Sequence, residues 1–212
     1  MNGEILDEVV LVVADLSGSM AGQPVSRMNV QISELLSELK TTQTMAANSI
    51  RFGLLGFHEK KQWLILPAGV DELDHLPMLQ IGKRSDGFFA RSNYSIMLAE
   101  LNRCMNRDFL CGNRSLNTVH VLLFSDGFPT DSWQSLKNAS ASLKKNTVFS
   151  NERCRRYVIQ EREYKGQGNY RGDFWTDFVN SKENMIQAEQ FSELLGDICG
   201  ELSGIKDDNV FG

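Results

Sequence analysis

Three oxygen-bearing side chains follow an apolar run near the start of the chain, and their types suit a hard metal ion. Residues 9–13 read VVLVV, an unbroken and mostly β-branched run that is typical of a parallel strand covered on both faces. Asp15, Ser17 and Ser19 then alternate in the stretch ADLSGSM. A carboxylate and two hydroxyls suit Mg²⁺, which takes octahedral oxygen ligands, few of them direct carboxylates, and keeps some water. The spacing therefore predicts a magnesium site, and Mn²⁺ or Ca²⁺ could occupy the same donors.

A second polar turn follows another apolar strand far along the chain. Residues 118–124 read TVHVLLF, and Ser125, Asp126 and Gly127 come next. In open α/β sheets, ligands bind beyond the carboxyl ends of the strands, at a point where the strand order switches. Asp15 and Asp126 both fall in that position, so two distant segments favour one shared site. Taken alone, the first motif could instead be a capped turn whose side chains satisfy helix N–H groups.

The elements that must position these residues alternate between strands and helices. This order predicts an α/β fold with a doubly wound, mostly parallel sheet and helices on both faces. Residues 50–58 and 61–66 form a predicted hairpin, which adds one antiparallel edge strand. Further strands are predicted at residues 156–160 and 184–187. Helices are predicted at residues 24–41, 71–79, 94–105, 132–145, 173–180 and 191–202.

The length and the loops define the expected domain. At 212 residues with 42% hydrophobic residues, the chain is long enough for one buried core, and a single domain over residues 1–212 is predicted. Residues 80–95 form a predicted surface loop. Residues 161–183 are interpreted as a possible insertion, and residues 206–212 as a frayed tail.

Charge and composition narrow the classes of partner. The net charge is −5, so no basic excess points to nucleic acid, and the basic stretch at residues 153–156 is interpreted as a solvated strand edge. No apolar run approaches the roughly 20 residues of a membrane span, and the N-terminal stretch lacks a basic start typical of signal peptides. The four cysteines have neither CxxC spacing nor zinc-like spacing from a histidine, which indicates reduced thiols in a cytoplasmic protein, with a Cys104–Cys111 disulfide as the less favoured alternative.

With these residues placed, the chain resembles a von Willebrand factor type A (VWA) domain over almost its whole length. The metal-ion-dependent adhesion site of that family has the pattern Asp-x-Ser-x-Ser, then a distant Thr, then an Asp in a Thr/Ser-Asp-Gly turn. Asp15, Ser17 and Ser19 in DLSGSM match the first part, and Asp126 in FSDGFPTD matches the last. The stretches DLSGSMAGQPV and SDGFPTD are nearest to the bacterial tellurite-resistance TerY-like branch.

The middle element departs from the family pattern. The family typically has a Thr in a Gly-Gly-Thr-like turn just before the helix that begins here near Tyr94, whereas this chain reads FARSNYS. Ser92 aligns best with the threonine, and Ser85 and Ser95 are weaker substitutes. The resemblance therefore implies Ser92 as the third hydroxyl ligand, direct or through water.

The resemblance implies coordination rather than catalysis. The three serines would offer hydroxyl oxygens, while Asp15 and Asp126 would bind the ion through water or hold the hydroxyls in place. A Mg²⁺ that receives little direct negative charge from the protein stays electrophilic and can accept a carboxylate from a partner protein. The side chains expected at the rim of that interface, unless they pack under their own loops, are Phe88, Phe89, Phe128 and Trp133.

The TerY-like resemblance also implies a setting for the interaction. Domains of this kind are often encoded beside protein kinases and phosphatases, so the implied role is an adaptor in a bacterial stress-response or phospho-signalling system. The sequence itself identifies no partner.

Two other functions fit parts of the sequence. Haloacid-dehalogenase-type phosphatases place an aspartate nucleophile after the first strand of a doubly wound sheet, which would assign aspartyl-phosphate chemistry to Asp15 with Mg²⁺. That family has Asp-x-Asp, and Ser17 cannot act as its general acid. The remaining alternative is a structural scaffold with a vestigial metal site. Replacing Asp126 discriminates between these alternatives, because only an interaction module would lose partner binding while staying folded.

Overall fold

The fold is built on a sheet of six strands. The computed structural model describes residues 5–127, 129–161 and 171–204, with side chains from residue 175 onward in the last range. The spatial order of the strands is β3-β2-β1-β4-β5-β6. Their bounds are Leu6–Asp15 (β1), Ser49–Phe57 (β2), Lys61–Gly69 (β3), Ser115–Ser125 (β4), Cys154–Gln160 (β5) and Met185–Gln187 (β6).

The pairing of the strands places a switch point in the middle of the sheet. β1 pairs in parallel with β2 on one side and with β4 on the other, and β5 and β6 continue in parallel beyond β4. β3 runs antiparallel to β2 at one edge. The strand order therefore reverses between β1 and β4, and such a reversal opens a crevice at the carboxyl ends of the two strands. The predicted α/β fold, with a mostly parallel sheet and one antiparallel edge strand, is confirmed.

Helices cover both faces of the sheet and bury two apolar layers. Their bounds are Gln23–Gln43 (α1), Tyr94–Cys104 (α2), Arg107–Cys111 (α3), Trp133–Leu143 (α4), Arg171–Phe178 (α5) and Phe191–Ser203 (α6). Successive side chains of β1 point to opposite faces. Leu11 and Val13 accordingly join the core formed with α2, α4 and α5, whereas Val10 and Val12 join the core formed with α1 and α6.

The structure differs from the sequence prediction at residues 71–79. Only a single 3-10 turn forms there, Val70–Glu72, and an extended segment follows. Asn29 of α1 holds the end of this segment, since its side chain accepts a hydrogen bond from the Leu79 amide at 2.8 Å and donates one to the Leu79 carbonyl at 3.2 Å. Pro77 also disfavours a helical conformation at the residue before it. The predicted helix at residues 71–79 is therefore wrong.

One short helix, α3, was not predicted from the sequence. α3 begins after Asn106, whose side chain accepts a hydrogen bond from the Phe109 amide at 3.0 Å, and it ends before Gly112, which has a φ of 64°. An Asn cap and a terminal glycine are recognisable boundary signals, but five residues are too few to show helical periodicity. The predicted helix at residues 173–180 lies instead at Arg171–Phe178, and the predicted strand at residues 184–187 begins at Met185.

The structure also bears on the predictions for the cysteines, for the insertion and tail, and for a membrane span. All four cysteines are free thiols, and three of them are buried. Residues 162–170 of the possible insertion, the tail at residues 206–212 and Phe128 lie outside the described residues. Among the helices that are described, none combines the length and the apolar character needed to cross a bilayer.

Candidate metal centre

The end of β1 delivers the first motif to the crevice. β1 is held on both sides up to Ala14, and the Leu16 amide donates to the Phe57 carbonyl at 2.8 Å. The Ser17 amide then donates to Asp15 Oδ1 at 2.9 Å, which turns the chain back over the carboxylate. The 3-10 turn Gly18–Met20 follows, and the fully buried Met20 anchors it. Strand pairing and this turn together fix the direction in which Asp15, Ser17 and Ser19 point.

Three serine hydroxyls meet beside the Asp15 carboxylate. Ser17 Oγ lies 3.1 Å from Ser19 Oγ and 3.0 Å from Ser92 Oγ. Ser92 Oγ donates to Asp15 Oδ2 at 2.8 Å. A hydroxyl that donates its proton to a carboxylate keeps its lone pairs for another partner. The cluster is therefore a set of oxygen acceptors, gathered from residues that are far apart in the sequence.

Asp15 receives donors from two further hydroxyls. Ser125 Oγ donates to Asp15 Oδ2 at 2.9 Å, and Tyr94 Oη donates to the same oxygen at 3.2 Å. Tyr94 Oη and Ser125 Oγ also lie within hydrogen-bond distance of each other, so their two protons are shared among these three contacts. Burial raises the pKa of Asp15, while hydrogen bonds from Ser17, Ser92 and Ser125 counteract the rise. The carboxylate is buried completely and held from several directions at once.

Asp126 reaches the same crevice from the end of β4. It is almost fully buried and follows Ser125, which touches Asp15. Burial raises the pKa of the Tyr94 phenol well above its ordinary value, and the charges of Asp15 and Asp126 raise it further. Gly127 then turns the chain with a φ of 80°, and its amide donates to Ser125 Oγ at 3.1 Å. The charges of both aspartates therefore act on the same buried phenol.

The loop after Asp126 is tied to the loop that carries Ser92. The Thr130 amide donates to the Ser92 carbonyl at 2.9 Å. Asp131 accepts hydrogen bonds from the Tyr94 amide at 2.7 Å and from the Ser95 amide at 3.0 Å, at the first turn of α2. These contacts hold the FARSNYS segment in place without the glycines that the VWA pattern would supply.

The structure also separates the three candidates for the middle hydroxyl. Ser92 is buried and lies with Ser17, as described above. The Ser95 hydroxyl instead donates within the cap of α2, to Asn93 Oδ1 at 2.9 Å and to Asp131. Ser85 is exposed on the preceding loop. Of the three, Ser92 is the one that the fold brings to Asp15.

Sequence reasoning assigned no site role to four residues that support this arrangement. They are Tyr94, Ser125, Thr130 and Asp131. Tyr94 reads as one more member of the apolar stripe of α2, and its hydroxyl gives no signal in the periodicity. Asp131 just ahead of a serine-capped helix resembles an ordinary capping residue. Their roles arise because the carboxyl end of β4 and the first turn of α2 meet at the same place in space.

Comparison with known proteins shows the fold and nothing finer. No protein-family model matches the sequence, and no curated protein matches it. Many solved structures do match. A structure titled von Willebrand factor type A from Catenulispora acidiphila superposes with a TM-score of 0.59 at 12% identity, over 94% of this chain and 43% of that one. The conserved hypothetical protein BatB from Bacteroides thetaiotaomicron gives a TM-score of 0.57 at 12% identity, over 92% and 97%.

A pilus adhesin is a further structural neighbour. SpaC from Lactobacillus rhamnosus GG superposes with a TM-score of 0.64 at 12% identity, over 96% of this chain. The match covers only 30% of SpaC, so the present chain corresponds to a part of that protein. At such low identity these likenesses establish a VWA-like α/β fold. They do not transfer a ligand or a partner.

Proposed function

We propose that this chain is a metal-dependent protein-interaction module, which binds an acidic residue of a partner protein through Mg²⁺ held at the crevice. The proposed metal site comprises Asp15, Ser17, Ser19, Ser92 and Asp126. The observation that carries the proposal is the convergence of three hydroxyl oxygens, 3.0 and 3.1 Å apart, at the switch point of the sheet. Neighbouring ligands of an octahedral Mg²⁺ at 2.0–2.1 Å lie about 3 Å apart, so the spacing of the hydroxyls matches two edges of an octahedron.

The chemistry of the donors supports a cation rather than another ligand. All the side chains proposed as ligands carry oxygen, which suits Mg²⁺ and Mn²⁺ better than softer metals. The described residues include no group of three or more His, Cys, Asp or Glu side chains that could hold a metal. The proposed site therefore depends on serine hydroxyls as well as on its two aspartates. A cation beside Asp15 would offset the loss of hydration that burial imposes on the carboxylate.

A bound Mg²⁺ would act as a Lewis acid toward an incoming carboxylate. The residues of the chain hold the proposed metal ligands in position. Asp15 accepts protons from the surrounding hydroxyls and so turns their lone pairs toward one point, while Thr130 and Asp131 hold the loop that carries Ser92. Exposed Ser19 lies at the solvent side of the cluster, where a partner could approach.

The burial of Asp15 supports binding rather than phosphoryl transfer. A nucleophilic aspartate must present one carboxylate oxygen to a phosphorus atom. Asp15 Oδ2 already accepts from three hydroxyls, and Oδ1 accepts from the Ser17 amide. We therefore propose a non-enzymatic role, and we expect no hydrolysis of a generic phosphate ester in the presence of Mg²⁺.

The setting of the interaction rests on the resemblance. We propose a cytoplasmic adaptor of the TerY-like kind, which brings together components of a stress-response or phospho-signalling system, such as a kinase or a phosphatase. The VWA-like fold supports a protein-interaction role.

Thermal and chemical unfolding in EDTA and in Mg²⁺ tests the metal site. Saturating Mg²⁺ at about 100 times its dissociation constant should stabilise the wild type by about 2.7 kcal/mol. Asp126→Asn should abolish that gain, because it removes a charge at the site while keeping the side-chain volume. Asp74→Asn makes the same chemical change at an exposed position and should retain the full gain.

Isothermal titration of Mg²⁺ into the same three proteins gives an independent measurement. Saturable binding to the wild type and to Asp74→Asn, without binding to Asp126→Asn, is the expected pattern. If the wild type neither binds Mg²⁺ nor gains stability from it, the metal site is vestigial and the scaffold alternative replaces the proposed function.

A further inference from the structure

Two exposed phenylalanines lie on the loop that precedes Ser92. Among the described residues, the exposed Phe, Tyr and Trp side chains are Phe88, Phe89 and Trp133. Phe88 is 71% exposed and Phe89 is 54% exposed, and the two are consecutive. Trp133 opens α4, just after the loop that follows Asp126. Two consecutive exposed phenylalanines provide an apolar surface of the kind that a partner can cover.

The loop that carries the two phenylalanines has a defined structure. Lys83 and Phe89 form an antiparallel bridge, and the Arg84 amide donates to the Phe88 carbonyl at 2.8 Å. Gly87 takes a φ of 83° and closes the turn with a hydrogen bond from its amide to the Arg84 carbonyl. The Phe88 amide donates to Asp86 Oδ1 at 3.1 Å. A preformed loop loses less conformational entropy when a partner binds.

The same loop is fastened directly to the proposed metal ligands. The Gly18 amide, between Ser17 and Ser19, donates to the Ala90 carbonyl at 2.9 Å. A Cβ added at Gly18 would lie 2.4 Å from the Phe89 Cβ, so the Phe89 side chain rests against the backbone of the DLSGSM turn. This close approach is why residue 18 must be glycine. Phe89 is consequently positioned next to the hydroxyl cluster.

Basic side chains border the two phenylalanines. Lys83 and Arg91 are exposed, and the described residues contain no ion-pair partner for either side chain. Arg84 is different, because it pairs with Asp86 at 3.1 Å and approaches Glu59 at 3.9 Å. Glu59 Oε1 accepts a hydrogen bond from the Arg91 amide at 3.3 Å, so one further carboxylate lies beside the loop, but Lys83 and Arg91 still give it a net positive charge in a protein whose net charge is −5. Cations there favour an acidic partner and raise its rate of association.

We propose that the loop from Lys83 to Arg91 is a docking surface for an acidic segment of the partner protein, in which an apolar side chain lies next to the carboxylate that reaches the metal. Phe88 and Phe89 contact the apolar side chain, and Lys83 and Arg91 attract the surrounding negative charge. This inference rests on the proposed function, since the same segment supplies the carboxylate.

Selection of peptides on the immobilised protein tests the docking surface. The probe is a library of short random peptides that share one fixed glutamate, selected in Mg²⁺ and then measured one by one by fluorescence anisotropy. We expect the selected peptides to carry an apolar residue close to the glutamate and further acidic residues around it. Their binding should require Mg²⁺ and should be lost in Asp126→Asn.

Variants of the loop separate this surface from the metal site. Phe88→Ser combined with Phe89→Ser should weaken peptide binding at least about tenfold, and Arg91→Glu about threefold or more, with the Arg91 effect shrinking as salt is raised. Matched controls lie at the opposite end of the molecule. They are Met45→Ser, which alters an apolar side chain that is 61% exposed, and Lys145→Glu, which makes the same change of charge as Arg91→Glu. Both should bind the peptides as the wild type does.

The outcomes distinguish the two proposals. Phe88→Ser leaves the contact of Phe89 with Gly18 and the charge beside Ser92 in place, so stabilisation by Mg²⁺ should be unchanged in that variant, which shows that its loss of peptide binding is local. Phe88→Ser alone, at a mostly solvent-exposed side chain, keeps the test valid if the double variant fails to fold. If Mg²⁺-dependent peptides bind the loop variants and the wild type equally, the docking surface is refuted and the metal-dependent function stands. If the library yields no Mg²⁺-dependent peptide, the proposed function fails and the docking surface fails with it.

Discussion

Strand β1 carries buried carboxylates at both of its ends, and the two ends neutralise them differently. At the start of the strand, Asp7 Oδ1 lies 3.1 Å from Arg114 Nε, and Asp7 Oδ2 lies 3.9 Å from Arg51 Nε. Burial raises the pKa of Asp7, while the two guanidinium groups counteract the rise. Glu8 beside it accepts hydrogen bonds from the amides of Asn48 and Asn117 at 2.7 and 2.6 Å.

At the far end of the strand, Asp15 has no such cation. Its donors are hydroxyls and one main-chain amide, and none of the ion pairs among the described residues includes it. A buried carboxylate is costly unless an opposite charge or several hydrogen bonds compensate it. The chain therefore balances the charge of Asp7 with its own cations, whereas Asp15 at the second end is left suited to a cation from solution. The first end can serve stability alone, whereas the second can couple stability to a ligand.

The largest expected effect comes from breaking the charge balance at the first end. Arg51→Met should destabilise the protein by about 3 kcal/mol, because it leaves buried Asp7 with one guanidinium and removes hydrogen bonds from Arg51 to the Leu110 and Pro67 carbonyls. Urea unfolding should show the same loss in EDTA and in Mg²⁺. Arg107→Met removes an exposed ion pair and should change stability by less than about 1 kcal/mol. A loss in Arg51→Met that depends on Mg²⁺ would contradict the separation of the two ends.

A further carboxylate, Glu100 on α2, extends the comparison to the dependence of stability on pH. Arg103, with Lys61 and Trp63, holds the pKa of Glu100 down to about 2 from its usual 4.5, although burial opposes the shift. A lowered pKa in the folded state gives stability that is complete above about pH 4.5 and is lost as the pH falls toward 2. We expect a loss of about 2 kcal/mol across that range, reduced by solvent screening of the exposed Arg103 and Lys61 side chains.

Unfolding free energies measured from about pH 6 to about pH 2 check this expectation, because this range includes the pKa of Glu100 in both the unfolded and the folded state. Glu100→Gln should remove this part of the pH dependence, whereas Glu34→Gln, at an exposed position of α1, should leave it intact. Because Glu100 is neutralised by cations of the chain, the pH dependence that it contributes should not change with Mg²⁺. An equal acid loss in the wild type and in Glu100→Gln would show that the ion pairs of Glu100 do not contribute.

The smallest expected effect concerns the hydrogen bonds that join the loop after Asp126 to the segment that carries Ser92. Asp131→Ala removes the carboxylate that accepts hydrogen bonds from the Tyr94 and Ser95 amides, and it should lower the free energy of unfolding by about 1 kcal/mol. It should also weaken Mg²⁺ binding severalfold in a calorimetric titration, because the loop that carries Ser92 loses its support. Asn106→Ala removes a comparable cap from α3 and should lower stability similarly without altering Mg²⁺ affinity. Equal Mg²⁺ affinity in both variants would mean that Ser92 is positioned without Asp131.

The two ends of β1 also differ in how well the sequence predicted them. Asp15, Ser17 and Ser19 stand together in one short motif, and Asp126 follows a second apolar strand, so the sequence alone indicated a shared site. Asp7, Arg51 and Arg114 form no motif, because their spacing along the chain reflects only the strand and helix lengths between them. A cluster that forms from unrelated positions leaves no pattern to recognise.

Local patterns determined most of the fold. The apolar runs of β1 and β4, the hairpin of β2 and β3 and the periodicity of α1 each predict their element correctly, because burial on a sheet or a helix face imposes a regular spacing. The helix predicted at residues 71–79 is wrong: a 3-10 turn ends at Glu72, and Leu79 at the other end is held by the Asn29 side chain of α1. That contact between distant residues outweighs the weak local helical preference.

By itself, the sequence determined that this chain forms a doubly wound α/β sheet with two aspartates at the carboxyl ends of its central strands. Only the tertiary structure decided that Ser92, and not Ser85 or Ser95, lies beside Asp15, and that Tyr94, Ser125 and Asp131 support the cluster. It also decided that Phe89 rests on Gly18, next to the hydroxyls. The physical reason is that strand order and hydrogen bonds between loops set these distances, whereas the sequence specifies only the spacing along the chain.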